Sequence, residues 1–140
     1  MQKTISTSSL PKQIVLTPQI ERYDYDTQLS FLPVINKRIE QAENQKKYFK
    51  TVIDSHVDNQ TSDVSENATN QLQHDLNIVA LEREEKLVTR LVHARLRITE
   101  YKTYGTCRIT GRLIESNRLE SMPHITLSLK GKEIEKLKKK

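Results

Sequence analysis

From Leu32 to Tyr101 the apolar residues of this 140-residue chain fall into two runs, each stepping by threes and fours. The first passes through Leu32, Ile35, Ile39, Ala42, Lys46, Phe49, Ile53 and His56; the second through Leu72, Leu76, Val79, Arg83, Leu87, Leu91, Ala94, Ile98 and Tyr101. Such steps keep a stripe on one side of a helix with 3.6 residues per turn. Between the runs lies "VDNQTSDVS", residues 57–65, whose Asn, Asp and Ser favour a turn. Two striped helices joined by a short polar connection bury their stripes against each other, antiparallel, with the connection as the tip. With 1.5 Å of rise per residue and about 25 paired residues per arm, the rod is on the order of 40 Å long. Lys46 and Arg83 interrupt the stripes, and their long stems can lie in the seam while their heads reach water.

The flanks read differently. Residues 1–26 are rich in Ser, Thr and Gln and carry Pro11 and Pro18, which points to a flexible arm in which "QIVL" could pair as an edge strand. Ser30 is a candidate N-cap, and Pro33 suits a first helical turn, where its missing N–H has no partner to lose. After Gly105, "TCRITGRLI" suits two short strands about a turn at Thr110-Gly111, and "KEIEKLKKK" reads as a short last helix. Ile109, Leu113, Ile114, Leu119, Ile125, Leu127 and Leu129 can form a small core at the base of the rod. The expected fold is mainly α: a long antiparallel helical hairpin over residues 27–103, then a small α+β foot over 104–132 and a basic tail over 133–140.

Composition removes several function classes. Aromatics at 5%, no Trp and 29% charged residues leave little material for a deep catalytic pocket. One cysteine cannot close an internal disulfide, so nothing marks the chain as secreted, and the expected location is the cytoplasm. No apolar run approaches the roughly 20 residues of a membrane span. There is no phosphate-cradling glycine loop, no triad and no basic reading helix for sequence-specific DNA binding. Cys107 has no Cys or His at ligand spacing, and His56, His74 and His93 read as surface or seam residues. Charge, however, is segregated. Residues 51–82 hold six acids (Asp54, Asp58, Asp63, Glu66, Asp75, Glu82) and no Lys or Arg, whereas Lys130–Lys140 holds six lysines against Glu133 and Glu135. Such a field can orient the molecule on a charged partner.

The stretch "YGTCRITGRLIESNRLESMPHITLSLKGK" resembles the zinc knuckle of the DksA/TraR family of transcription factors. In that family a Tyr/Phe-Gly-x-Cys-x-x-Cys-Gly segment precedes Arg-Leu-Glu-x-x-Pro and a second Cys-x-x-Cys pair. Tyr104, Gly105, Cys107, Gly111, Arg118, Leu119, Glu120 and Pro123 match. The four ligand positions read Cys107, Thr110, Ser128 and Gly131, so one ligand survives and no zinc is expected. Upstream, Asp63-Val-Ser-Glu66-Asn-Ala68 resembles the family's acidic Asp-x-x-Asp-x-Ala tip element, with Glu as the second acid. The resemblance runs from about residue 27 to 132 and is strongest to the cysteine-poor variant of Bacteroidetes-type bacteria.

What the resemblance implies is a non-enzymatic regulator that binds RNA polymerase through its secondary channel, as a monomer, with a nucleotide alarmone as an accessory ligand. Asp63 and Glu66 would be the working acids at the tip and Ala68 would permit close approach. The residues alone also admit a helical adaptor that dimerises through its hairpin, or a ribosome- or nucleic-acid-associated module that depends on the Lys-rich end.

Overall fold

A computed structural model describes residues 20–56 and 64–138. "QIVL", the tip connection with Asp63, and the last two lysines lie outside these residues. The described elements are α1 (Tyr25–Ser30), α2 (Leu32–Ser55), α3 (Val64–Leu96), a π-helical turn (Arg97–Tyr101) that continues α3, α4 (Ser116–Ser121) and α5 (Leu129–Lys138). None of the described helices is long and apolar enough to cross a membrane.

α2 and α3 pack as an antiparallel hairpin: near the base Arg95 Nη1 donates to Asn36 Oδ1 (3.1 Å), and near the far end the rings of His56 and His74 meet. Pro33 lies in the first turn of α2. Ser30 is not the N-cap. Helical bonding passes straight from α1 into α2, through Phe31 N–H to Gln28 and Ile35 N–H to Phe31, and the Ser30 hydroxyl donates back to Thr27.

The α2 stripe faces the seam: Ile35 and Ala42 are buried, and Leu32, Ile39, Lys46, Phe49, Ile53 and His56 are half-buried. α3 follows its expected stripe only at the base, where Leu91, Ala94 and Ile98 are fully buried. Further out, Leu72 (61%), Leu76 (53%) and Val79 (50%) are exposed, and Asn70, His74 and Asn77 turn inward instead. The reason is periodic. Residues 70, 74, 77, 81, 84, 88 and 91 form an unbroken heptad ending in buried Leu91. The stripe 79, 83, 87, 91 takes three successive steps of four, which would demand a stutter in the coil. Tight packing at the base sets the phase, and the distal leucines fall outside it. The π turn then adds a residue, leaving Ile98 buried and Tyr101 67% exposed.

The core sits where hairpin meets foot. Phe31, Ile35, Leu91, Ala94, Ile98, Tyr104, Cys107, Ile114, Leu119 and Leu127 form one cluster. Phe31 and Tyr104 have ring centroids 5.4 Å apart, and the Tyr104 hydroxyl donates to the Pro123 carbonyl at 2.9 Å. The foot pairs less extensively than expected. Among the described residues it has one isolated antiparallel bridge, Thr106 with Leu113, rather than two strands. The tight turn is present, with Gly111 at φ 72° and its N–H donating to the Cys107 carbonyl.

The N-terminal arm also differs from expectation in its last residues. Glu21 N–H donates to Gly111 O (2.7 Å), Thr106 Oγ1 donates to Glu21 O (2.6 Å), Leu113 N–H donates to the Glu21 carboxylate (3.1 Å), and the Tyr23 hydroxyl donates to Ile114 O. A foot with so few strand partners leaves backbone groups open, and this strap fills them. Gly105 (φ 89°) makes room for it: a Cβ there would lie 2.5 Å from the Tyr23 ring.

Candidate functional site

Three places on this frame carry chemistry. The first is the far end of the hairpin. Glu66 and Ala68 stand exposed at the start of α3, with Glu66 in its first turn, where an acid is favoured by the helix dipole. Asp63 immediately precedes α3 and lies outside the described residues. The structure therefore puts Glu66 and Ala68 about 30 residues, or roughly 45 Å of helix, from the foot.

The second is the remnant knuckle. The four family ligand positions, far apart in sequence, converge on the Cys107 sulfur. Thr110 N–H donates to Sγ at 3.5 Å, the Ser128 hydroxyl hydrogen-bonds it, and Gly131 N–H donates to Ser128 Oγ at 3.1 Å. A Cβ on residue 131 would run into Sγ. Burial pushes the thiol pKa up, but the hydrogen bonds from Ser128 and Thr110 outweigh it and bring it down to about 6. One thiol, two hydroxyls and a glycine do not fit zinc, which takes four thiolate or imidazole donors when structural. Among the described residues no three His, Cys, Asp or Glu side chains cluster as a metal site. A hydrogen-bonded thiol with packed apolar neighbours occupies the centre instead.

The third, which periodicity and motif spacing did not reveal, is a basic junction between hairpin and foot. His124, just after Pro123, is held below its usual pKa by burial and then by Arg90, Arg38 and Arg97. These cations come from α2, α3 and the π turn. Arg97 Nη2 and His124 Nδ1 are buried without a hydrogen-bond partner, and burial lowers the pKa of Arg97 too, with Tyr104 opposing. Only Arg38 has a described bond here, to Ser121 O at 3.2 Å. A buried guanidinium nitrogen without an acceptor, with two further arginines nearby, makes a receptive place for an anion. The sequence signal was faint because the four residues are scattered over 87 positions.

Sequence reading also missed Gln28, which is buried. Its Nε2 donates to Tyr23 O (2.9 Å) and Lys102 O (3.0 Å), and its Oε1 accepts from Tyr104 N–H (3.3 Å). It ties the hairpin entrance to its exit, where Lys102 takes the left-handed conformation at φ 56°.

No family model matches the chain. It is 32% identical over 82 residues to the RNA polymerase-binding transcription factor DksA of Caulobacter vibrioides, in strain NA1000 and in strain CB 15 alike. The match covers 56% of this chain and 57% of each relative, so the chain spans little more than half the length of the curated relatives it matches. Its fold is that of transcription factor DksA2 from Pseudomonas aeruginosa, with a TM-score of 0.72, 23% identity, and coverage of 91% of this chain and 97% of the other. The chain is thus DksA-like in sequence over those 82 residues and has the DksA fold over nearly its whole length. The relatives are named as transcription factors, not as enzymes.

Proposed function

We propose that this chain is a non-enzymatic transcription regulator that binds RNA polymerase, its hairpin entering the secondary channel tip first so that Asp63 and Glu66 approach the active centre. The observation that carries the reading is the combination of a DksA-like sequence and fold with a long two-helix rod whose far part, residues 51–82, holds six acids and no Lys or Arg. A paired-helix rod carries carboxylates to a depth that a loop on a compact domain could not reach. A basic channel wall would attract its acidic end and leave the basic foot outside. Ala68, exposed beside Glu66, leaves room for close approach. Residues 27–103 are the working arm and residues 104–132 the metal-free foot that holds it.

The basic junction at Arg38, Arg90, Arg97 and His124 supports a phosphorylated nucleotide alarmone as an accessory ligand, since guanidinium groups suit phosphate oxygens. The protein acts as a monomer in the cytoplasm, where polymerase is.

The test is a pull-down of core RNA polymerase with wild type and Asp63→Asn/Glu66→Gln, alongside transcription from a sensitive promoter. Both proteins are expected to bind and only wild type to change transcription. Wild type that fails to associate with polymerase sinks the reading.

A further inference from the structure

We infer that the distal seam of the hairpin is a two-histidine site for a divalent transition-metal ion, bridging α2 and α3 one step behind the tip. His56 is the C-cap of α2, and His74 lies on the facing side of α3; their rings stack with centroids 4.0 Å apart and planes 20° apart. Each ring has a nitrogen, His56 Nε2 and His74 Nδ1, that is buried without a hydrogen-bond partner. Both rings border one cleft of about 320 Å³ between the arms, lined also by Ser55, Asn70, Gln73 and Asn77, with Asn77 Oδ1 accepting from Gln73 Nε2 at 3.1 Å and the Ser55 hydroxyl donating to Val52 O at 3.0 Å.

Chemistry narrows the occupant. A neutral imidazole nitrogen in a seam needs either a donor or a Lewis acid, and a buried polar atom with neither is costly. Two imidazoles suit Ni²⁺, Cu²⁺ or Zn²⁺ in an open site whose other positions are held by water, unlike the closed four-donor site of a structural knuckle, whereas Mg²⁺ and Ca²⁺ take carboxylates and carbonyls. Rings stacked 4.0 Å apart do not aim two nitrogens at one point, so sharing one ion takes a turn about χ2 of one ring, a torsion with a broad profile in histidine. Water completes the coordination. The site has no part in the remnant knuckle, which lies at the opposite end of the rod. It adds a link where the α3 side of the distal seam is polar, with Asn70, His74 and Asn77 facing inward.

The experiment is calorimetric titration of the tag-free full-length chain with Ni²⁺ and, separately, Zn²⁺, repeated on His56→Gln, His74→Gln, the double variant and, as a control on the outer face of α3, His93→Gln. Glutamine keeps a polar side chain in the seam, and circular dichroism checks that the helices persist. One ion per chain is expected. Either single substitution weakens binding by about 10- to 100-fold or more, the double abolishes it, and His93→Gln leaves it unchanged. Binding that survives in the double variant, or wild type that takes up no ion at millimolar concentration, overturns the inference.

Discussion

Cys107 Sγ occupies the space into which any side chain on residue 131 would extend, so the sulfur and Gly131 form a complementary pair. In a four-ligand knuckle a metal would hold these two positions apart. Here the glycine lets α5 settle directly onto the thiol, and Gly131 is buried.

The pair can be uncoupled. Gly131→Ala forces a methyl group against a buried sulfur and is expected to destabilise the protein by about 1–3 kcal/mol. Cys107→Ala in the same chain vacates the space and restores most of that loss. Urea unfolding of the two single variants and the double measures the coupling, and simple additivity would refute the close-packed arrangement.

The hydrogen bonds that hold the sulfur also predict a pH dependence. The thiol pKa falls from 9.0 to about 6 in the folded chain because the bonds from Ser128 and Thr110 outweigh burial. A group with a depressed folded pKa contributes stability in full above its unfolded pKa and loses it as pH drops through the folded one. Stability should therefore climb between about pH 6 and pH 9, and Cys107→Ser should remove that climb. Ultraviolet absorbance of the thiolate, followed across the same range, reports the titration directly.

Absence of a fitting zinc site in the foot leads to a separate expectation. A strong chelator should leave the unfolding midpoint of the foot unchanged, because its core rests on Tyr104, Ile114, Leu119 and Leu127 rather than on thiolates. Loss of near-ultraviolet dichroism at Tyr104 on chelation would contradict this.

Much of this architecture could be read from residue spacing, because a helical stripe leaves a repeated mark: the seam of α2 follows its sequence pattern from Leu32 to His56. The distal face of α3 did not, since two phases compete there and only the packing of Leu91 and Ala94 at the base decides between them. Gln28 was invisible for a different reason. A single polar residue has no periodicity, and its importance comes from partners 74 and 76 residues away. The knuckle positions were legible through the family resemblance, whereas the cations around His124 come from three separate elements and share no motif.

Gln28 gives its own prediction. Gln28→Leu keeps the volume but strips the acceptor from Tyr104 N–H and the donor from Lys102 O, both at a buried junction. Leaving such groups unsatisfied costs about 1–3 kcal/mol. The variant should lose that much in urea unfolding, with the exchange rate of the Tyr104 amide proton rising more than that of core amides in α3.

The phase of α3 is tested by pairing one leucine inside the seam with one outside it. Leu91 is fully buried, so Leu91→Ala should cost about 2–5 kcal/mol through lost contacts and a cavity. Leu76 is 53% exposed, and Leu76→Ala should stay within about 0.5 kcal/mol, as surface substitutions do. Asn77→Leu then supplies the opposite sign: an apolar side chain turned toward the polar cleft beside His74 should stabilise the arms against each other. If instead Leu76→Ala destabilises as much as Leu91→Ala while Asn77→Leu is neutral, the distal half of α3 is rotated onto its leucines, and the two histidines no longer face each other.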